Sequence, residues 1–142
     1  MTLVVKLKDV GLIEMIKPID IKEAQAIYDK YDRGQEDTLP PVKGASYWGY
    51  YEDNKLVGTI GLVEKKFYSK IVRQFVIKEY RKKKIGLKLF KFVLDKARTP
   101  KIISFATHSS IEFYVKEGFT ITKKYSRTFR VEINLKEVSS NG

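Results

Sequence analysis

At Lys84 the hydrophobic spacing of the chain changes from that of strands to that of a helix, and this change limits the folds open to it. Ser46 to Glu52, Lys55 to Lys65 and Lys70 to Ile77 are β-rich runs, with hairpin chemistry at Asp53-Asn54, and together they predict an antiparallel meander. After Lys84, the residues Gly86, Leu89, Phe90, Val93 and Ala97 recur at three and four positions, while Lys84, Lys88, Lys91 and Asp95 form another stripe. An amphipathic helix is expected there, ended by Thr99-Pro100. Lys101 to Thr107 reads as a short strand and Ser109 to Glu117 as a short helix stopped by Gly118; Phe119 to Tyr125 and Thr128 to Leu135 read as closing strands. Upstream, Leu12 to Ile16 is a strand candidate. Pro18 and Asp20 supply a turn and an N-cap for a helix from about Ile21 to Tyr31, whose apolar face carries Ala24, Ile27, Tyr28 and Tyr31. The order is β, α, three β, α, β, α, two β, so the class is mixed α/β with a largely antiparallel sheet flanked by helices.

A chain of 142 residues with 43% apolar residues has material for one domain that buries about 70% of its unfolded surface. No repeat or Gly/Ser linker divides it, and Ser139-Ser140-Asn141-Gly142 is expected to be a disordered tail. There is no cysteine, which excludes a disulfide framework, thiolate zinc sites and a cysteine nucleophile. The single histidine excludes histidine-dominated zinc sites, and no metal is expected. Lysines and an aspartate interrupt the apolar stretch at residues 1–10, so the chain reads as soluble, unprocessed and cytoplasmic, with no membrane span. Arg33 to Gly44, with Gly34, Pro40, Pro41 and Gly44, reads as a long substrate-facing loop.

Charge is unevenly placed. The chain carries 28 Lys and Arg against 17 Asp and Glu, a net +11. Between Lys65 and Lys101 there are 14 basic residues and two acidic ones, Glu79 and Asp95, so the whole excess sits in 37 residues. Such a surface concentrates anions: a phosphorylated cofactor, a nucleic acid, an anionic membrane or an acidic protein. A solvated lysine face that serves solubility is the other reading.

Arg81-Lys82-Lys83-Lys84-Ile85-Gly86 joins the strand ending at Ile77 to the lysine-striped helix. Unpaired amides and the positive end of the helix dipole favour an anion there, and four consecutive cationic side chains add to the attraction. Gly86 admits close approach of a ligand to the backbone, or else packs the helix closely on the sheet.

These residues resemble the cofactor motif of the GCN5-related N-acetyltransferases, a strand ending in Val followed by a Q/R-x-x-G-x-G/A turn that opens a helix. Here it reads Val76-Ile77-Lys78-Glu79-Tyr80-Arg81-Lys82-Lys83-Lys84-Ile85-Gly86; Arg81 and Gly86 match, Lys84 stands at the first glycine and Lys78 where proline is common. A second resemblance is Ser110-Ile111-Glu112-Phe113-Tyr114-Val115-Lys116-Glu117-Gly118-Phe119, a short helix with a tyrosine followed by Gly-Phe; Thr107 stands where the family often has Asn. The likeness spans about Leu12 to Leu135 and makes residues 1–138 one N-acetyltransferase-like domain. It implies transfer of an acetyl group from acetyl-CoA to an amine by direct attack. It also implies that Val76, Ile77, Arg81, Lys82, Lys83, Lys84, Ile85, Gly86 and Leu87 hold the cofactor, and that Tyr114 protonates the leaving sulfur. Tyr114 also reads as a core aromatic.

Acyl transfer needs aligned substrates, a deprotonated amine, a stabilised oxyanion and a neutralised thiolate. Many family members carry the base as a carboxylate on the strand before the cofactor turn, where this chain has Arg73-Gln74-Phe75. His108 is the candidate base, with a helix-entry or surface role as its alternative, and Glu64 with a water chain is another route. The aromatic run Tyr47-Trp48-Gly49-Tyr50-Tyr51 shapes the acceptor side or packs as ordinary strand residues. The acceptor is a small-molecule or macromolecular amine. A second expectation, of a different class, is a nucleic-acid-binding or nucleic-acid-modifying protein acting through the basic 65–101 segment. The closing strands offer an edge on which a second copy could pair, so monomer and homodimer both stay open.

Overall fold

The computed structural model describes residues 3–7, 13–31 and 44–135. Their elements in chain order are β1 (Leu3–Leu7), β2 (Ile13–Ile19), α1 (Ile21–Tyr31), β3 (Ser46–Glu52), β4 (Lys55–Glu64) and β5 (Tyr68–Val76). There follow a 3-10 helix (Lys78–Lys83), α2 (Ile85–Lys96), β6 (Lys101–Thr107), α3 (Ile111–Lys116), β7 (Thr120–Lys124) and β8 (Thr128–Asn134). The class is the expected one, mixed α/β with a largely antiparallel sheet. The loop expected at Arg33 to Gly44, apart from Gly44, and the tail at 139–142 lie outside the described residues. Two compact units are formed, residues 1–62 with 72–95 and residues 63–71 with 96–142, and β4 and β5 run through both.

In the first unit the strand order is β1-β2-β3-β4-β5. β1 has no counterpart in the sequence reading; it pairs antiparallel with β2 over Ile13 to Ile16. Pro18, expected in a turn, instead extends β2 opposite Trp48, where no described residue of β1 pairs with it. On such an edge a missing N–H is tolerated. Asp20 caps α1 as expected: its Oδ1 accepts the Glu23 N–H at 2.8 Å, and Glu23 Oε1 accepts the Asp20 N–H at 3.3 Å, a reciprocal capping box. The β3–β4 hairpin turns at Asp53 and Asn54, both left-handed with φ 52° and 68°, as a two-residue type I′ turn requires.

α2 lies close on β4. A Cβ at Gly58 would stand 3.2 Å from Leu89 Cδ1 and 3.3 Å from Ile85 Cγ2, so glycine there sets the approach of the helix. Leu89, Phe90 and Val93 of the apolar stripe read from the sequence are buried, and so is Ile85, which that reading did not include. The lysine stripe is not wholly solvated. Lys88 reaches inward, its Nζ 3.0 Å from Oε2 of the buried Glu14 on β2, and it donates to the Tyr50 hydroxyl at 3.3 Å. Glu52, also buried, is the cross-strand partner of Glu14. Burial, then the hydrogen bond and charge of Glu14, then Glu52, push the Tyr50 phenol above its ordinary range, so it stays neutral beside Lys88.

In the second unit β5 pairs in parallel with β6 over Tyr68 to Lys70, and the strand order continues β6-β8-β7, both pairs antiparallel. α3 is shorter than expected because Thr107 to Ser110 form a turn ahead of it, in which Ser110 Oγ accepts the Thr107 N–H and Thr107 O accepts the Ser110 N–H. Gly118, at φ 100°, ends the helix in the left-handed conformation that favours glycine. Ile102, Ala106, Tyr114, Phe119 and Val131 are buried here.

Removing one partner of a buried ion pair leaves the other charge uncompensated. Lys88→Met is expected to lower the unfolding free energy by about 3 kcal/mol, read from the shift in urea midpoint; an unchanged midpoint would show that the pair holds nothing.

Candidate functional site

The site is built from the strand end upward. In β5, Arg73 has φ 50°, a left-handed residue inside a strand, and its carbonyl accepts a hydrogen bond from the Tyr28 hydroxyl of α1. Thr59 Oγ1 donates in turn to Tyr28 Oη at 3.2 Å. Beyond this kink, Arg81 Nε donates to the Val76 carbonyl at 2.8 Å, and its guanidinium lies over the Phe75 ring, 5.7 Å from the centroid. The Ile77 N–H donates to Val57 O at 2.9 Å, so that amide is committed to β4.

The basic turn is a 3-10 helix over Lys78 to Lys83 rather than an open loop. Tyr80 closes its first turn by donating its N–H to Ile77 O, and Lys55 of the β3–β4 hairpin places its Nζ over the Tyr80 ring. Lys84 follows with φ 62° and ψ 22°. This left-handed conformation explains why a glycine suits the position: a lysine holds it at a cost of about 1 kcal/mol. α2 then starts, and the N–H groups of Ile85, Gly86 and Leu87 are those that a first helical turn leaves without an intrahelical acceptor. Gln74 Nε2 donates to the Gly86 carbonyl at 2.9 Å and fixes that turn to β5. A Cβ at Gly86 would meet only that flexible amide, at 3.2 Å, and Val76 Cγ2 at 3.9 Å. The turn is thus lined by backbone, is cationic, and fits an anionic group such as a diphosphate.

Tyr114 and His108 belong to the second unit, the turn to the first. The Tyr114 side chain is buried, 5% exposed, and its hydroxyl accepts a hydrogen bond from Ser104 Oγ at 2.9 Å. Phe113 and Phe119 pack edge-on against it. Burial raises the phenol above its ordinary range and the Ser104 hydrogen bond only partly offsets that. His108 is exposed in the turn after β6, its ring edge-on against Phe129 at 5.0 Å. Glu64 lies 3.9 Å from Arg98 Nε.

Among the described residues a cleft of about 590 Å³ opens at the start of β3, lined by Ile19, Ile21, Gly44 and Trp48 among others. It sits at the opposite end of β3 from the hairpin that Tyr80 packs against, and so lies away from the turn. Tyr47 and Tyr50 of the aromatic run are buried, as ordinary strand packing requires. No group of described His, Cys, Asp or Glu residues has the makings of a metal site.

Sequence reasoning did not find Tyr28, Gln74 or Ser104 as parts of this machinery. The signal for Tyr28 was a tyrosine on an apolar helix face, since a buried phenol needs a polar partner. Gln74 and Ser104 left no comparable mark.

The sequence model of the acetyltransferase (GNAT) family matches residues 13–119, a span that holds both motifs. No curated protein sequence matches the chain. Solved structures with the same fold include Ard1 from Thermoplasma volcanium, 16% identical over 86% of this chain and 97% of that one, TM-score 0.70. The IAA acetyltransferase from Bacillus cereus ATCC 14579 is 18% identical over 86% and 99%, TM-score 0.68. A GNAT family acetyltransferase from Elizabethkingia anophelis with acetyl-CoA bound is 18% identical over 86% and 98%, TM-score 0.63.

Relief of the backbone cost at Lys84 is measurable. Lys84→Gly is expected to raise unfolding stability by about 1 kcal/mol, seen as a higher urea midpoint at unchanged slope; a lower midpoint would place the controlling interaction in the lysine side chain.

Proposed function

We propose that this chain, which belongs to the GNAT family of acetyltransferases, moves an acetyl group from acetyl-CoA to an amine acceptor, small or macromolecular, by direct attack. The observation that carries this reading is the turn from Val76 to Leu87, where a strand end, a cationic 3-10 helix, a left-handed Lys84 and the first amides of α2 follow one another. Arg81, Lys82, Lys83, Lys84, Ile85, Gly86 and Leu87 hold the diphosphate, chiefly through main-chain N–H groups, and Val76 and Ile77 present the strand end to the acyl arm.

Bound acetyl-CoA supplies a thioester: the amine nitrogen bonds to its carbonyl carbon, and the carbon–sulfur bond breaks. Two protons must then move, one off the amine and one onto the departing sulfur. Tyr114 is assigned the second. Its hydroxyl accepts from Ser104, and burial keeps the phenol protonated through neutral and mildly alkaline pH. His108 is assigned the first, from its exposed position in the turn after β6.

Calorimetric titration with acetyl-CoA tests the reading. Binding is expected, with Gly86→Glu weakening it at least about tenfold by setting a carboxylate among the amides. Tyr114→Phe should leave binding intact and lower kcat about a hundredfold. No heat at millimolar acetyl-CoA would overturn the reading. Because the Tyr114 phenol titrates above its ordinary 10.0, it sets no alkaline limb on the rate below about pH 10. The stability that Tyr114 contributes is whole below that pH and is lost as pH rises toward the raised value, where the unfolded tyrosine ionises first.

A further inference from the structure

The second unit carries a cationic, aromatic surface made of residues other than Tyr114 and His108. Its residues, 63–71 with 96–142, hold twelve Lys and Arg against five Asp and Glu, a net +7 out of the +11 of the whole chain. The exposed large hydrophobic side chains of the described residues include three aromatic rings, Phe67, Phe105 and Tyr125, all in this unit. Each has a lysine ammonium over its ring: Lys66 on Phe67, Lys70 on Phe105 at 4.8 Å, and Lys123 on Tyr125 at 5.2 Å. Phe105 and Tyr125 are neighbours, centroids 6.3 Å apart and planes tilted 44°, so Lys70, Phe105, Tyr125 and Lys123 form one row of ammonium, ring, ring, ammonium. Phe105 and Tyr125 are 42% and 44% exposed.

The charges around the row are unequal in availability. Arg130, the cross-strand partner of Phe105, is paired with Glu132 at 2.8 Å, and Lys101 with the same carboxylate at 3.2 Å. Among the described residues neither Lys70 nor Lys123 is ion-paired. The row therefore offers two ammonium groups that, among the described residues, have no carboxylate partner, and two exposed rings. An acidic peptide would engage the cations and leave the rings in water. A second copy of this chain would cover the rings and bring two surfaces of like charge together. An unpaired nucleic-acid strand satisfies both, through its phosphates and through bases whose flat faces stack on aromatic rings.

We infer that this face binds single-stranded nucleic acid, with bases on Phe105 and Tyr125 and phosphates on Lys70 and Lys123. Binding there is separate from acetyl-CoA binding and survives its failure.

The test is fluorescence anisotropy of a labelled twelve-nucleotide oligothymidine with the full chain at about 50 mM salt. Saturable binding is expected, weakened about tenfold by Phe105→Ala and by Tyr125→Ala and retained by Phe105→Trp, which keeps a stacking face. The double variant Lys70→Ala, Lys123→Ala should make the slope of log K against log salt shallower by about 1.4, two phosphate contacts on a single strand. Phe105 is exposed, and unchanged circular dichroism would confirm that its variants fold. Absence of binding overturns the inference. So does binding that both alanine variants leave unchanged, displacement by polyglutamate at equal charge, or a dimer in sedimentation that Phe105→Ala dissolves.

Discussion

A lysine turned inward holds the first half of α2 in place. Lys88 belongs by sequence to the polar stripe of the helix, yet its ammonium is set against the buried Glu14 and the neutral Tyr50. Desolvating these charges is costly, and apolar side chains would pack the same space more cheaply. What an ion pair adds is direction: an ammonium that must reach one carboxylate does not let the helix slide along the strands as a greasy contact would. Gly58, which lets the helix approach, and Gln74, which holds the Gly86 carbonyl, complete a three-point attachment of the turn between β5 and α2. The diphosphate binding proposed for that turn requires such an attachment, because amides serve an anion only when their directions are fixed.

Backbone strain is concentrated in the same place. Besides Asp53 and Asn54, which tolerate a hairpin turn, the described non-glycine residues with positive φ are Arg73 and Lys84, and they bracket the strand end and the 3-10 helix. Each costs on the order of 1 kcal/mol and persists because neighbours over-determine it. The Arg73 kink is held by Tyr28 and Thr59. Lys84 is locked between two helices. Strain of this sort is held by the surrounding packing, and on the proposed reading it falls where the cofactor would be gripped.

Local chemistry was legible in the sequence. The hairpin at Asp53-Asn54, the Asp20 cap, the period change after Lys84 and the stop at Gly118 all act within a few residues, and each appears where spacing placed it. The cationic turn was legible too, because Gly86 and the basic run are contiguous. Long-range pairing was not. Lys88 and Glu14 stand 74 residues apart, and nothing in a lysine stripe says which member turns inward. Pro18 was misplaced because its tolerance depends on how far β1 extends along β2. The 3-10 helix was hidden because six residues with four cations have the composition of a loop. Tyr114 was legible as a position, but its hydrogen bond from Ser104 belongs to tertiary structure.

The clasp between Tyr28 and the Arg73 carbonyl ties α1 to the kinked strand. A substitution in α1 that displaces Tyr28 would free the carbonyl that the kink presents. On the proposed reading, drift in this helix would then alter the grip on a donor while the residues that touch it stayed the same.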